Sequence, residues 1–293
     1  MQKIILTFMI TISWLLASAQ YKIPNSAQAQ LITKSYSLTN AQLIANNACN
    51  VFVFKDNVFF SISGQLKDST AIFGYPNIKS VKRMIVLKDH TIILQDQRII
   101  SISNSTSRIN TQKKTEVLAK LNTTNVTIFP STTESSFFIV IYTIDKHSKQ
   151  QHSIVKICNV DDKTVKKLFE VNGRVSSIFG NQSTLTLSVD KDLILVKNQE
   201  EYVLSTEESD ITCLSVSPIG IFFSTYSTVY YMSPTGEKTV IVEKGALQLL
   251  DCCNTLYMIL IDGSLIRIHN TLAFAEFYGL LKQSNNENTH PDH

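Results

Sequence analysis

The chain has 293 residues, 44% of them hydrophobic and 17% charged, with a formal net charge of +3. That length and apolar content suffice to bury a large core in one or two domains, and nine glycines and six prolines are too few for a low-complexity protein. There is no long basic or acidic block, so charge makes no case for nucleic acid or a membrane surface as partner.

In chain order, residues 1–19 have the layout of a secretory signal peptide: Lys3 supplies the positive charge, Ile4 to Leu16 the apolar stretch, and Ala17-Ser18-Ala19 a small-x-small cleavage site before Gln20. The alternative is an uncleaved anchor, which would need roughly 20 apolar residues where this run has about 13. No later stretch is long and apolar enough to span. The expectation is therefore a secreted or periplasmic protein. Export makes disulfides available. Five cysteines follow, Cys49, Cys158, Cys213, Cys252 and Cys253, so at least one is free or paired with another chain. Their spacings match no zinc pattern. Sequons at Asn104, Asn122, Asn125 and Asn181 are no more than the Asn, Ser and Thr content gives by chance.

From Gln30 to Asn270 the chain is a train of short β-signals, four to nine residues each, rich in Val, Ile, Phe, Tyr, Thr and Leu and bounded by Asn, Asp, Gly, Ser or Lys. No window there has a helical period. Short turns between the signals imply antiparallel hairpins, since parallel pairing needs long crossovers. The signals group in fours. "AQLIANN", "NVFVFK", "NVFFSIS" and "STAIFGY" form the first unit, and "ITCLSVSP", "GIFFSTY", "TVYYMSP" and "KTVIVEK" the fifth. The turn between second and third strands falls near Asp56, Asp96, Asp145, Asp190, Tyr226 and Asp262, at steps of 40, 49, 45, 36 and 36 residues. The sixth unit, "ALQLLDC", "TLYMILI" and "SLIRIHN", stops one strand short, and "AQLITKSYSL" (29–38) is a strand left over at the start. The first and last units also share a phrase, Gln-Leu-Ile ahead of Cys49-Asn50 and Gln-Leu-Leu ahead of Cys252-Cys253-Asn254.

A four-stranded unit of about 40 residues, repeated, resembles a β-propeller. The predicted fold is all-β: a six-bladed propeller of four-stranded antiparallel blades over 20–270, closed by the N-terminal strand. One short helix over 271–283, with Phe274, Phe277, Tyr278 and Leu281 at helical spacing, and a disordered tail over 284–293 complete the chain. A pair of β-sandwiches would use the same strands. The blades resemble NHL-like and lactonase-like propellers in general form. There is no Trp-Asp dipeptide, and the single tryptophan, Trp14, lies in the predicted signal peptide.

No Gly-x-Ser-x-Gly, His-Glu-x-x-His or Gly-rich phosphate loop is present. The turn aspartates are an orderly polar feature, but Asp-Asn and Asp-Gly are hairpin-turn pairs in their own right. The resemblance to lactonase-like propellers implies an axial calcium, for which the strand entrances offer Asn40, Asn125, Asp210 and, less clearly, Glu243. Cys49 stands in the same first-to-second-strand turn as Cys252 and Cys253, and the first and last blades are neighbours in a closed ring. A disulfide from Cys49 to Cys252 or Cys253 is expected, with Cys158 and Cys213 in the core. The leading function is a non-catalytic exported binding module or scaffold that binds a protein partner and needs no cofactor. The alternatives are a calcium-assisted lactonase- or paraoxonase-like hydrolase and a carbohydrate-binding propeller.

Overall fold

The computed structural model describes residues 29–33, 41–45, 51–55, 58–62, 81–103, 115–145 and 147–269. They form 23 strands in six antiparallel sheets. β1 (Ala29–Thr33) stands apart at the start. The first sheet holds β2 (Gln42–Ala45), β3 (Val51–Lys55) and β4 (Val58–Ile62). The second holds β5 (Arg83–Val86), β6 (His90–Leu94), β7 (Arg98–Ser103) and β8 (Thr115–Lys120). The third holds β9 (Val126–Pro130), β10 (Ser136–Ile144), β11 (Gln151–Asn159) and β12 (Val165–Asn172). The fourth holds β13 (Val175–Gly180), β14 (Thr184–Val189), β15 (Asp192–Lys197) and β16 (Glu200–Thr206). The fifth holds β17 (Ile211–Ser217), β18 (Gly220–Thr225), β19 (Val229–Met232) and β20 (Lys238–Val242). The sixth holds β21 (Ala246–Cys252), β22 (Thr255–Leu260) and β23 (Leu265–His269).

β1 completes the sixth sheet. It pairs antiparallel with β23, Ala29 opposite Ile268 and Leu31 opposite Ile266, so that the two ends of the described chain share one blade. The first strands of the sheets touch in a cycle, β2 to β5, β9, β13, β17, β21 and back to β2. That cycle is a propeller around a central channel and excludes a pair of sandwiches, whose sheets would stack two by two. Complete four-stranded blades number five where the sequence predicts six. The first sheet has three strands among the described residues, because its expected fourth strand, within 69–75, lies outside them. The predicted signal peptide, C-terminal helix and tail also lie outside the described residues. No helix among the described residues is long and apolar enough to cross a membrane.

The second strands explain the apolar runs in the sequence. In β10, Phe137, Phe138, Ile139 and Val140 are all fully buried. Alternate side chains leave a strand on opposite faces. Phe137 and Ile139 pack with Ile92 and Leu94 of the second blade, while Phe138 and Val140 pack with Leu185 and Leu187 of the fourth. A strand covered on both faces needs no polar alternation. Six such apolar clusters fill the six spaces between neighbouring sheets. The connection into the sixth blade is tight: a Cβ on Gly245 would sit 2.2 Å from the Tyr226 carbonyl oxygen and 2.4 Å from that of Thr225, so only glycine passes there.

Deleting residues 20–38 removes β1 and leaves the backbone edge of β23 unpaired. Urea unfolding of the truncated chain is expected to show a loss of several kcal/mol, out of a typical domain total of about 5–15 kcal/mol. An unchanged midpoint would refute ring closure by this strand.

Candidate functional site

The inner strands edge the channel and are not laddered to one another, so side chains link them. Gln248 on β21 donates from Nε2 to the Ala41 carbonyl at 2.8 Å and accepts from the Leu43 N–H at 2.7 Å. Gln42 on β2 repeats the device one blade on, donating to the Met84 carbonyl at 2.5 Å and accepting from the Met84 N–H at 2.9 Å. An amide side chain does this because it carries both a donor and an acceptor. The repeated Gln-Leu-Leu/Ile phrase is thus a pair of clamps at the sixth-to-first and first-to-second junctions. Elsewhere hydroxyls serve. Tyr142 donates to the Val175 carbonyl (2.7 Å), Ser176 to that of Ile211 (2.5 Å) and Thr212 to that of Ala246 (2.6 Å).

The second-to-third junction differs. Arg83 on β5 stands ahead of two apolar residues, Met84 and Ile85, as Gln42 stands ahead of Leu43 and Ile44. Its guanidinium lies 4.4 Å from the centre of the Phe129 ring and donates from Nη1 to Thr127 Oγ1 at 3.3 Å. Burial lowers its pKa, and Tyr142 and Cys213 act on it electrostatically. Cys213 belongs to the fifth blade, opposite the second in a ring of six, so the charge is set towards the axis.

The sequence-predicted residues are placed as follows. Asn40 lies outside the described residues. Asn125 and Asp210 precede β9 and β17, two blades apart, and both are exposed, as is Glu243. Among the described residues no three His, Cys, Asp or Glu side chains are grouped to hold a metal. Asp56 lies outside the described residues; Asp96, Asp145, Asp190 and Asp262 sit between second and third strands, and each has partners in the protein. Asp145 accepts from the His147 and Ser148 N–H groups at 2.8 and 2.7 Å, and those of Ser148 and His147 hold its carboxyl below the usual range. Asp190 accepts from the Arg174 N–H at 3.0 Å, and Asp96 pairs with Lys82 at 3.1 Å. At Asp262 partial burial pushes the pKa up, but the Lys244 ammonium and the Ser264 hydroxyl and N–H outweigh it and hold the carboxyl down at about 2. These carboxylates stabilise turns and are not gathered into an acidic rim. His147 is exposed, whereas His90 is half-buried with Nδ1 2.9 Å from Ser101 Oγ.

Cys158 and Cys213 are buried free thiols, as core cysteines should be, and burial pushes them up to about 11 and about 12. Cys252 is also free and packs with the apolar cluster between the sixth and first blades. Its neighbour Cys253 is disulfide-bonded. A bond between these adjacent residues is thereby excluded, as is one from Cys252 to Cys49. Cys253 and Asn254, with φ of 50° and 59°, are the two central residues of the hairpin turn between β21 and β22. Two positive φ values are what a tight I′ hairpin requires. Cys49 lies outside the described residues.

An open groove of about 670 Å³ lies between the third and fourth blades, lined by Thr133, Asn181, Gln182, Ser183, Asn198 and Gln199. Its lining is polar throughout and offers no aromatic ring on which a sugar would stack. The Asn181 side-chain carbonyl is already used, accepting from the N–H groups of Ser183 and Thr184 and from the Ser183 hydroxyl.

No protein-family model matches the chain, and no curated protein does. Solved structures do. A gluconolactonase from Xanthomonas campestris is similar with a TM-score of 0.59 at 10% identity, over 86% of this chain and 92% of that one. A virginiamycin B lyase from Staphylococcus aureus is similar with a TM-score of 0.55 at 10% identity, over 83% and 99%. The WD40 β-propeller domain of Doa1 is similar with a TM-score of 0.51 at 16% identity, over 77% of each. At these identities the likeness establishes the propeller fold and nothing further.

Replacing Gln248 by Ala leaves the Ala41 carbonyl and the Leu43 N–H without their partner. A loss of about 1–3 kcal/mol is expected for each group left buried and unsatisfied, read from the urea midpoint at unchanged slope. As for the cysteines, we propose Cys49 as the partner of Cys253. Non-reducing peptide mapping is expected to recover that pair, with Cys252 alkylated as a free thiol. Recovery of Cys253 joined to a second chain would overturn the assignment.

Proposed function

We propose that this chain is an exported, non-catalytic binding module whose propeller docks an extended segment of a protein partner on the outer strand of the fourth blade. The observation that carries the reading is β16. It is the edge strand of its sheet, and three consecutive apolar residues stand exposed on it: Tyr202 at 48%, Val203 at 62% and Leu204 at 37%. Exposed apolar edges invite pairing by another chain, and proteins usually blunt them with charge. The corresponding strand of the third blade, β12, is blunted in that way by Lys166, Lys167 and Glu170. On β16 the carboxylates flank the apolar centre, Glu200 and Glu201 before it and Glu208 after it, on a chain whose net charge is +3. The fitting occupant is a strand with apolar residues on one face and Lys or Arg at its ends, added by β-augmentation.

The fold neighbours include a gluconolactonase, a lyase and a WD40 domain, so the fold alone leaves function open. The hydrolase reading is supported less well by the residues. The described oxygen donors offered for calcium, Asn125, Asp210 and Glu243, are exposed at separate strand entrances.

A synthetic peptide of alternating Val and Thr with two Lys at each end is the probe. Fluorescence anisotropy is expected to show binding that weakens with salt and falls at least about tenfold in Val203→Lys, a substitution at an exposed site. Equal binding by that variant, or none by either protein, sinks the proposal. Dialysis against a chelator is expected to leave the melting curve unaltered, and a large calcium-dependent shift would favour the hydrolase instead.

A further inference from the structure

One face of the ring carries the turns that join first to second and third to fourth strands. At the second-to-third junction that face is tied by ion pairs, Lys88 with Glu134 at 2.6 Å and Lys163 with Glu116 at 2.5 Å. At the third-to-fourth junction it holds the open groove of about 670 Å³, and no charged side chain lines it. Its size falls within the roughly 300–1,000 Å³ of small-ligand pockets.

The amides around the groove are unspent. Among the described residues, the side chains of Gln182, Asn198 and Gln199 make no hydrogen bond. Asn181 uses its oxygen within its own turn and keeps its two N–H donors. This contrasts with Gln42 and Gln248, whose amides are fully engaged as clamps. Gln199 is also out of place as a turn residue. Lys197 pairs with Glu200, so Asn198 and Gln199 are the whole of a two-residue hairpin turn, with φ of 52° and 71°. Such a turn favours Asn-Gly, and a long side chain at the second place works against the backbone. Local structure does not call for that amide.

The same turn leads directly into β16. Every sheet of the ring is antiparallel, and antiparallel pairing is the more stable kind. A strand added antiparallel to β16 runs towards Glu200, so its C-terminal end leaves the edge beside Gln199 and reaches the groove.

We propose that this groove receives the C-terminal continuation of the segment docked on β16, and that the continuation is an uncharged stretch rich in Asn, Gln, Ser or Thr. The inference rests on the β16 reading. Neutral amides and hydroxyls carry both donors and acceptors, so they match a peptide main chain and amide side chains alike. A charged side chain entering the groove would give up water and find no opposite charge.

The test uses the full chain and the alternating Val-Thr peptide with two Lys at each end, alone or extended by Asn-Gln-Ser-Asn at its C-terminus or at its N-terminus. The C-terminal tail is expected to lower Kd at least about tenfold, the worth of one or two net hydrogen bonds. The N-terminal tail should give no gain, nor should a C-terminal tail of four Asp. Gln199→Gly gives the turn its favoured residue and removes the amide, and Gln182→Ala truncates an exposed side chain. Each should bind the untailed peptide as the parent does and lose most of the gain from the C-terminal tail. No gain from that tail, an equal gain from the N-terminal tail, or a gain kept in both variants overturns the groove while β16 stands. Failure of the untailed peptide to bind sinks the β16 reading and this one with it.

Discussion

Each blade of this protein is a thin sheet with two apolar faces, and neither face can be left to water. That constraint governs the architecture. A sandwich satisfies it by placing polar residues on its outer faces. Here the second strands are apolar on both sides, as in β10 and in β22, where every residue from Thr255 to Leu260 is buried. Only a cyclic arrangement gives every face a neighbour. At about 25 cal/mol per Å² of apolar surface removed from water, the six inter-blade clusters are the main favourable contribution to the fold, and a gap at any one junction would expose two faces at once.

A ring made from a linear chain must join its two ends without a covalent link, and here the join lies inside the sixth blade. β1 crosses over to pair with β23. Gln248 clamps both sides of Gln42 on the facing inner strand. Tyr257, Ile259 and Leu265 of the sixth blade pack against Leu43, Val51 and Val53 of the first. At the third-to-fourth, fourth-to-fifth and fifth-to-sixth junctions hydroxyl bonds take the place of the amide clamps. Gly245, with no space for a methyl group, shows how closely one such connection is drawn in.

A rigid ring leaves function to what it does not consume. Among the described turn aspartates, Asp145 and Asp262 accept from their own turns, Asp190 accepts from the Arg174 N–H, and Asp96 and Asp262 pair with lysines. The amides of Gln42 and Gln248 are consumed as clamps. What remains is an edge strand, β16, whose apolar centre Tyr202–Leu204 carries no charge, and a guanidinium, Arg83, whose Nε has no hydrogen-bond partner among the described residues. Both depart from a rule that the rest of the molecule obeys, and such departures are where a binding role is best sought.

The sequence by itself determined the strands, their grouping and the ring. Apolar runs of four to nine residues mark strands buried on two faces. Asp, Asn and Gly at regular steps mark the turns, because backbone geometry at a tight turn selects those residues locally. The surplus strand at 29–38 and the missing strand after Asn270 identified the closing pair. Cys158 and Cys213, set among apolar neighbours, were legible as core. Only the tertiary structure decided which of two adjacent cysteines bonds, with Cys252 turned into the apolar cluster and Cys253 at the turn. It also decided that the Gln of a repeated phrase clamps a strand two hundred residues away, and that Arg83 points towards the axis while Asn125 and Asp210 stand exposed. The physical reason is one of range. Strand and turn preferences are settled among residues close in sequence, whereas a side chain's partner across a blade junction depends on where the ring brings distant strands together.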